Sequence, residues 1–156
     1  MTLTESATAP DLCGARGVTE SKRKTTEVSE ITEVIVCTTC RPAGATREAP
    51  SAGAALLEAV QIAQLQGGQG AFVNVRVRGM ECLSSCSRAC TVAFQAPGKG
   101  TYLFGDLVPD EETAQHVLLC AALHANASDG ALLRNDRPER LRKGILAKLP
   151  PFGGNP

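Results

Sequence analysis

Five of the chain's seven cysteines sit in two short segments, and each segment follows a β-type pattern. Val34-Ile35-Val36 runs into Cys37-Thr38-Thr39-Cys40. An alternating stretch ending at Arg78 runs into Met80-Glu81-Cys82-Leu83-Ser84-Ser85-Cys86-Ser87-Arg88-Ala89-Cys90. Hydroxyls surround these thiols, and Leu83 is the one large apolar side chain between Cys82 and Cys90. The rest of the chain reads as scaffold that brings the two cysteine loops to one place.

The strand patterns set the topology. Val34-Ile35-Val36 is a continuous β-branched run, which suits a central strand covered on both faces. Pro42, Gly44 and Pro50 make a long irregular loop after Cys40. A helix is expected from Ser51, a good N-cap type, with Leu56, Leu57, Val60 and Ala63 at helical spacing to about Gln66. Gly67-Gly68 ends it. Val73, Val75 and Val77 alternate with Asn74, Arg76 and Arg78, which predicts a half-exposed strand at a sheet edge. Val92-Ala93-Phe94 and Tyr102-Leu103-Phe104 flank the turn residues Ala96-Pro97-Gly98-Lys99-Gly100 and form a hairpin. Pro109-Asp110-Glu111-Glu112 opens a second helix with acid in its first turn, and Ala114, Val117, Leu118 and Ala121 mark its buried stripe. A short helix is expected over Pro138 to Lys148, with Leu141, Ile145 and Leu149 aligned and a basic face of Arg140, Arg142, Lys143 and Lys148. Pro150-Pro151 stops it.

The predicted fold is therefore α/β: a small mixed four-stranded sheet in the order β-α-β-β-β-α, with helices packed on it and a short C-terminal helix. Residues 1–32 are polar and read as a disordered segment. Residues 33–130 form the domain, and residues 131–156 a helical extension. The first connection is a right-handed crossover joining parallel strands. Both cysteine loops then leave the carboxyl ends of those strands, where open α/β sheets place their sites.

Composition excludes several function classes. Net charge is zero, so nothing global points to nucleic acid or an anionic membrane. No stretch approaches the ~18 apolar residues of a membrane span. An odd number of cysteines cannot all pair within one chain, and the polar start lacks the apolar core of a secretory signal. The expected setting is cytoplasmic and reducing, where clustered cysteines serve as ligands or redox groups. His116 and His124, eight apart, lack the i, i+4 spacing of a helical zinc pair. Gly67-Gly68-Gln69-Gly70 precedes a strand, so it is no phosphate loop.

Four thiolates are the usual protein ligands of a [2Fe–2S] cluster, because soft sulfur suits iron. Cys37 and Cys40 can serve one iron, and Cys82 and Cys86 the other. Backbone N–H groups with Thr38, Thr39, Ser84, Ser85 and Ser87 would tune such a centre. Cys90 is a surplus candidate. Cys13 reads as an incidental thiol and Cys120 as a packed core residue. Two other readings stand beside this one. Zinc can take four such cysteines, although the pairs lie further apart than in common zinc ribbons. Cys37-Thr38-Thr39-Cys40 is also a CxxC after a strand, as in thiol–disulfide enzymes, but a long loop separates it from the helix N-terminus that would activate it.

The stretch from Cys82-Leu83-Ser84-Ser85-Cys86 through Tyr102 resembles the second half of thioredoxin-like [2Fe–2S] ferredoxins. There a C-x3-C loop leads into two hairpin strands around a Pro-Gly turn, an aromatic residue and an acidic helix start. Residues 33–151 more closely resemble a bacterial family of unknown function described as predicted metal-binding proteins. That resemblance rests on Val36-Cys37-Thr38-Thr39-Cys40-Arg41, Glu81 to Cys90, Ala96 to Leu107, and the tail from Arg137-Pro138-Glu139 to Pro150-Pro151. The ferredoxin resemblance implies a thioredoxin-like fold and a cluster held by Cys37, Cys40, Cys82 and Cys86. It also implies a small one-electron carrier with a redox partner protein. A homodimer is admitted, with the polar strand face at Asn74, Arg76 and Arg78 one place for it. The first pair is closer together than in most such ferredoxins, and Cys90 stands where they have a proline. A third thiol there can replace Cys40 or Cys86 as ligand, or suit the site to another metal.

Overall fold

The structure is a computed structural model, and it describes residues 31–68 and 70–152. The expectations for residues 1–30, including Cys13, lie outside the described residues.

Among the described residues, five strands and two α-helices follow in the order β1 (Thr32–Cys37), α1 (Ala52–Gln66), β2 (Val75–Met80), β3 (Val92–Gln95), β4 (Thr101–Phe104), α2 (Glu111–Asn126) and β5 (Ile145–Leu149). The sheet order is β2-β1-β3-β4-β5. β1 and β2 are parallel, and the β1–β3, β3–β4 and β4–β5 pairs are antiparallel. This is the predicted α/β arrangement, a mixed sheet with helices packed on it, with one strand added.

Pairing across the ladder aligns Val34 with Phe94 and Tyr102, and Val36 with Val92 and Phe104. All six are buried, and they share one core with Leu56 and Val60 of α1 and Val117, Leu118 and Ala121 of α2. The chain has four Phe, one Tyr and no Trp, and placement makes use of them: Phe94 and Phe104 meet edge to face at 5.6 Å, a favourable geometry for their ring quadrupoles. Both helices begin as the sequence predicts. Ser51 accepts the Ala54 N–H at 3.1 Å and Asp110 accepts that of Thr113 at 2.7 Å.

The C-terminal segment corrects the sequence reading. Only Glu139–Leu141 is helical, as a single 3₁₀ turn, and Ile145–Leu149 is a fifth strand on β4. The predicted four-stranded sheet thus has five strands, and the extension is built into it. The spacing of Leu141, Ile145 and Leu149 suits a helix seam, but Gly144 adopts φ +82° and breaks any helix there. Leu141 is buried while Ile145 and Leu149 stay 39% and 56% exposed, so the three share no face. The backbone groups along β4 supply the partners that local periodicity could not reveal.

His124, set aside as a ligand in the sequence, is a core clamp. Its buried ring meets Thr32 Oγ1 through Nδ1 at 2.9 Å and the Gly100 carbonyl through Nε2 at 2.7 Å. A carbonyl only accepts, so Nε2 carries the proton and Nδ1 accepts from Thr32. Among described residues no helix is long and apolar enough to cross a membrane.

Candidate metal centre

β1 ends at Cys37 and β2 ends at Met80, and these two residues are register partners. Parallel pairing therefore delivers both cysteine loops to the same end of the sheet. The loops are also sewn together. Thr38 N–H donates to the Met80 carbonyl at 2.8 Å, and its hydroxyl to the same oxygen at 3.2 Å. The Thr39 hydroxyl donates to the Glu81 carbonyl, and the Cys37 thiol reaches that oxygen at 3.6 Å.

The entry to β3 closes the site from behind. Cys37 N–H donates to the Thr91 carbonyl at 3.1 Å, and Cys40 Sγ lies 3.4 Å from Thr91 Oγ1. Cys90 precedes Thr91 and is fully buried.

The start of α1 packs against the first loop, although some ten residues of chain separate them. Ser51 Oγ donates to the Thr38 carbonyl, and Gly53 N–H donates to the Cys40 carbonyl at 3.1 Å. A Cβ on Gly53 would stand 2.0 Å from the Cys37 carbonyl oxygen, so no side chain fits there. The sequence argument that the loop keeps the helix away from the CxxC is thereby corrected: a loop's length does not set the distance between its ends. α2 begins shortly after Leu107, whose backbone pairs with Cys90. The N-terminal end of α1 thus lies against the Cys37–Cys40 loop, which favours negative charge there.

The five cysteines predicted as candidates come to this one end. They do so as two pairs with a fifth thiol behind. Cys37 and Cys40 interact with each other and are each 1% exposed. Cys82 and Cys86 interact with each other and are exposed. Ser84 N–H donates to Cys82 Sγ at 3.2 Å from a left-handed residue, φ 58°.

Their acidities differ with environment. Burial alone raises the Cys37 thiol. The Leu83 N–H, the Cys40 thiol and the Thr39 N–H and hydroxyl favour its thiolate and leave it below its ordinary value. Burial raises Cys40, an effect the Thr91 hydroxyl only partly offsets. Cys86 is raised by Cys82 beside it. Cys90 is pushed up to about 11, first by burial and then by Cys40 and Cys37.

Among the described residues no three Cys, His, Asp or Glu side chains converge on a point where they could hold one ion. The thiols stand instead as two pairs on facing loops. Three features of the set suit bonds from thiolate to a soft metal. All the donors are soft, amide N–H groups lie beside two of the sulfurs, and a wall of Thr91 and Gly53 backs the buried pair. Cys120 does not join them. It is buried in the α2 stripe, its thiol pushed up to about 12 by burial, and it packs as expected. Sequence reasoning missed Ser51, Gly53 and Thr91 as parts of the site. A glycine in a helix's first turn was a readable signal for Gly53; the others depend on contacts across the fold.

A protein-family model described as "Protein of unknown function (DUF1636)" matches residues 34–151. No curated protein matches the chain. Among solved structures, the chain is similar to a thioredoxin-like [2Fe–2S] ferredoxin from Aquifex aeolicus. The identity is 18% and the TM-score 0.48, over 81% of this chain and 99% of that chain. A structure of a wild-type thioredoxin-like [2Fe–2S] ferredoxin from the same organism gives 17% and 0.47, over 76% and 98%.

Proposed function

The chain belongs to the DUF1636 family, and we propose that its cysteine loops hold a [2Fe–2S] cluster and that it serves as a small one-electron carrier. The observation that carries this reading is the gathering of two thiol pairs from two separate loops at one end of the sheet. Cys37 and Cys40 would hold one iron and Cys82 and Cys86 the other. When bound, such a cluster supplies reversible one-electron chemistry.

The protein's own groups do the rest. Thr91 Oγ1 and the N–H groups of Thr39, Leu83 and Ser84 can donate to sulfur, which favours added negative charge. Gly53 and Ser51 seat α1 against the buried pair and keep water from it. The exposed Cys82–Cys86 side is where a redox protein partner would reach the site. Cys90, behind Cys40, is a reserve ligand.

The test is an optical spectrum of protein purified without air, with iron, sulfide and zinc assayed on the same sample. About two irons and two sulfides per chain, with a colour bleached by dithionite, support the proposal, and Cys37→Ser and Cys82→Ser should each lose it. One zinc per chain, without colour even after cluster reconstitution, would replace the electron carrier with a metal-binding or metal-delivery module. No metal, with Cys37 and Cys40 reversibly oxidised, would leave a thiol–disulfide protein.

A further inference from the structure

The loop carrying Cys86 and Cys90 is fastened to the chain that follows β4. Asp106 N–H donates to the Arg88 carbonyl at 2.8 Å, Cys90 N–H to the Leu107 carbonyl at 3.0 Å, and Leu107 N–H back to the Cys90 carbonyl at 3.2 Å. Across these bonds the Asp106 carboxylate takes the Arg88 guanidinium in two places. Nε donates to Oδ1 at 2.8 Å and the second nitrogen to Oδ2. Asp106 has φ 60°, a left-handed conformation that Asp and Asn enter more readily than most residues. That turn lets one residue offer Arg88 both its N–H and its carboxylate.

The fastening has a backing. A Cβ on Gly105 would lie 2.7 Å from the Arg88 carbonyl oxygen, and one on Gly144 would lie 2.5 Å from the Gly105 carbonyl oxygen. Gly105 N–H also donates to the Gly144 carbonyl at 2.8 Å. A line of close backbone contacts therefore runs from the lead-in of β5, through Gly105, to Arg88. Arg88 stands two residues from Cys86 and two from Cys90.

Arg88 and Asp106 are each 49% exposed, and an ion pair so exposed adds little to global stability. Its forked geometry adds something else, a fixed orientation. We infer that Asp106 is a positioning residue for the thiol site: through Arg88 it holds Cys86 and Cys90 against the sheet, with Gly105 and Gly144 behind it. The consequence for metal retention rests on the proposed function; the latch itself does not.

Two variants test it in the full chain. Asp106→Asn keeps size and left-handed tolerance and removes the charge; Arg88→Lys keeps the charge and removes the fork. Amide hydrogen exchange of Cys90 and Leu107 is measured in the reduced, metal-free protein. Iron release to a chelator is measured after cluster reconstitution, at low and high salt, with Tm alongside. Both variants are expected to speed exchange at these two amides, and iron release, by about tenfold, with Tm nearly unchanged. High salt should speed release from the unsubstituted protein and leave Asp106→Asn unaffected, a response that a purely packing role would not give. Unchanged amides, or faster exchange with unchanged release and salt response, would overturn the inference. Should the unsubstituted protein take up no iron, the functional reading fails. The amides alone then decide: faster exchange upholds the latch, and unchanged exchange overturns it.

Discussion

Gly53→Ala is the substitution that most directly interrogates the site's construction. In an exposed helix interior this change gains up to about 1 kcal/mol from propensity. Here the new Cβ would stand 2.0 Å from the Cys37 carbonyl oxygen and 3.0 Å from the Cys40 nitrogen. Ordinary contact needs about 3.5 Å, so the start of α1 and the Cys37–Cys40 turn must part by more than an ångström. Both partners are backbone, and no rotamer change relieves the overlap. Overpacking of this kind costs about 1–3 kcal/mol, which outweighs the propensity gain. A midpoint fall of several degrees follows, at about 4 °C per kcal/mol. The same parting breaks the Gly53 N–H bond to the Cys40 carbonyl and loosens the Cys37–Cys40 turn. Urea unfolding would measure the stability loss, and iron per chain after reconstitution would measure the site. Ala54→Gly, at an exposed neighbouring position, is the control: it should lose about 1 kcal/mol and keep its iron. A Gly53→Ala protein as stable as the unsubstituted one, with full iron, would refute the packing of α1 on the cysteine loop.

Three further outcomes are expected. Burial holds the His124 pKa below its ordinary value, the Gly100 carbonyl opposing it only in part. The unfolded chain therefore binds the extra proton first as pH falls below about 6.5, and stability drops by up to about 1.4 kcal/mol per pH unit until the folded pKa is passed. Denaturation series across that window should show the slope, and His124→Gln should remove it. Tyr102→Phe leaves the Leu132 N–H, which donates to Tyr102 Oη at 3.1 Å, without its buried acceptor. A loss of about 1–3 kcal/mol is expected, readable in urea titration, with iron binding intact. Thr91→Val removes the hydroxyl beside Cys40 Sγ at nearly constant volume. In the reconstituted protein the reduction potential should fall, because one donor that favours negative charge on sulfur is gone; an unchanged potential in voltammetry would remove Thr91 from the site.

Local pattern sufficed for most of the fold. The apolar run before Cys37, the alternation before Met80, the Pro-Gly turn of the hairpin and the caps at Ser51 and Asp110 are all short-range statements. Each held, because strand and helix starts are decided by residues a few positions apart. Parallel pairing of β1 and β2 then brings both cysteine loops to one end of the sheet, as the two strand patterns had implied. The same local reasoning failed over Pro138–Lys148. There a helical spacing competed with the free edge of β4, more than forty residues away, and the long-range hydrogen bonds prevailed. Only the tertiary structure could decide which pair is buried, since Cys37-Thr38-Thr39-Cys40 and Cys82-Leu83-Ser84-Ser85-Cys86 look equally polar as sequence. Exposure is set by what the folded chain stacks on each loop: α1 and the start of β3 cover the first, while the second stays at the surface. Gly53, Thr91 and the Arg88–Asp106 latch belong to that second class of fact, because each acts on a partner that folding alone brings within reach.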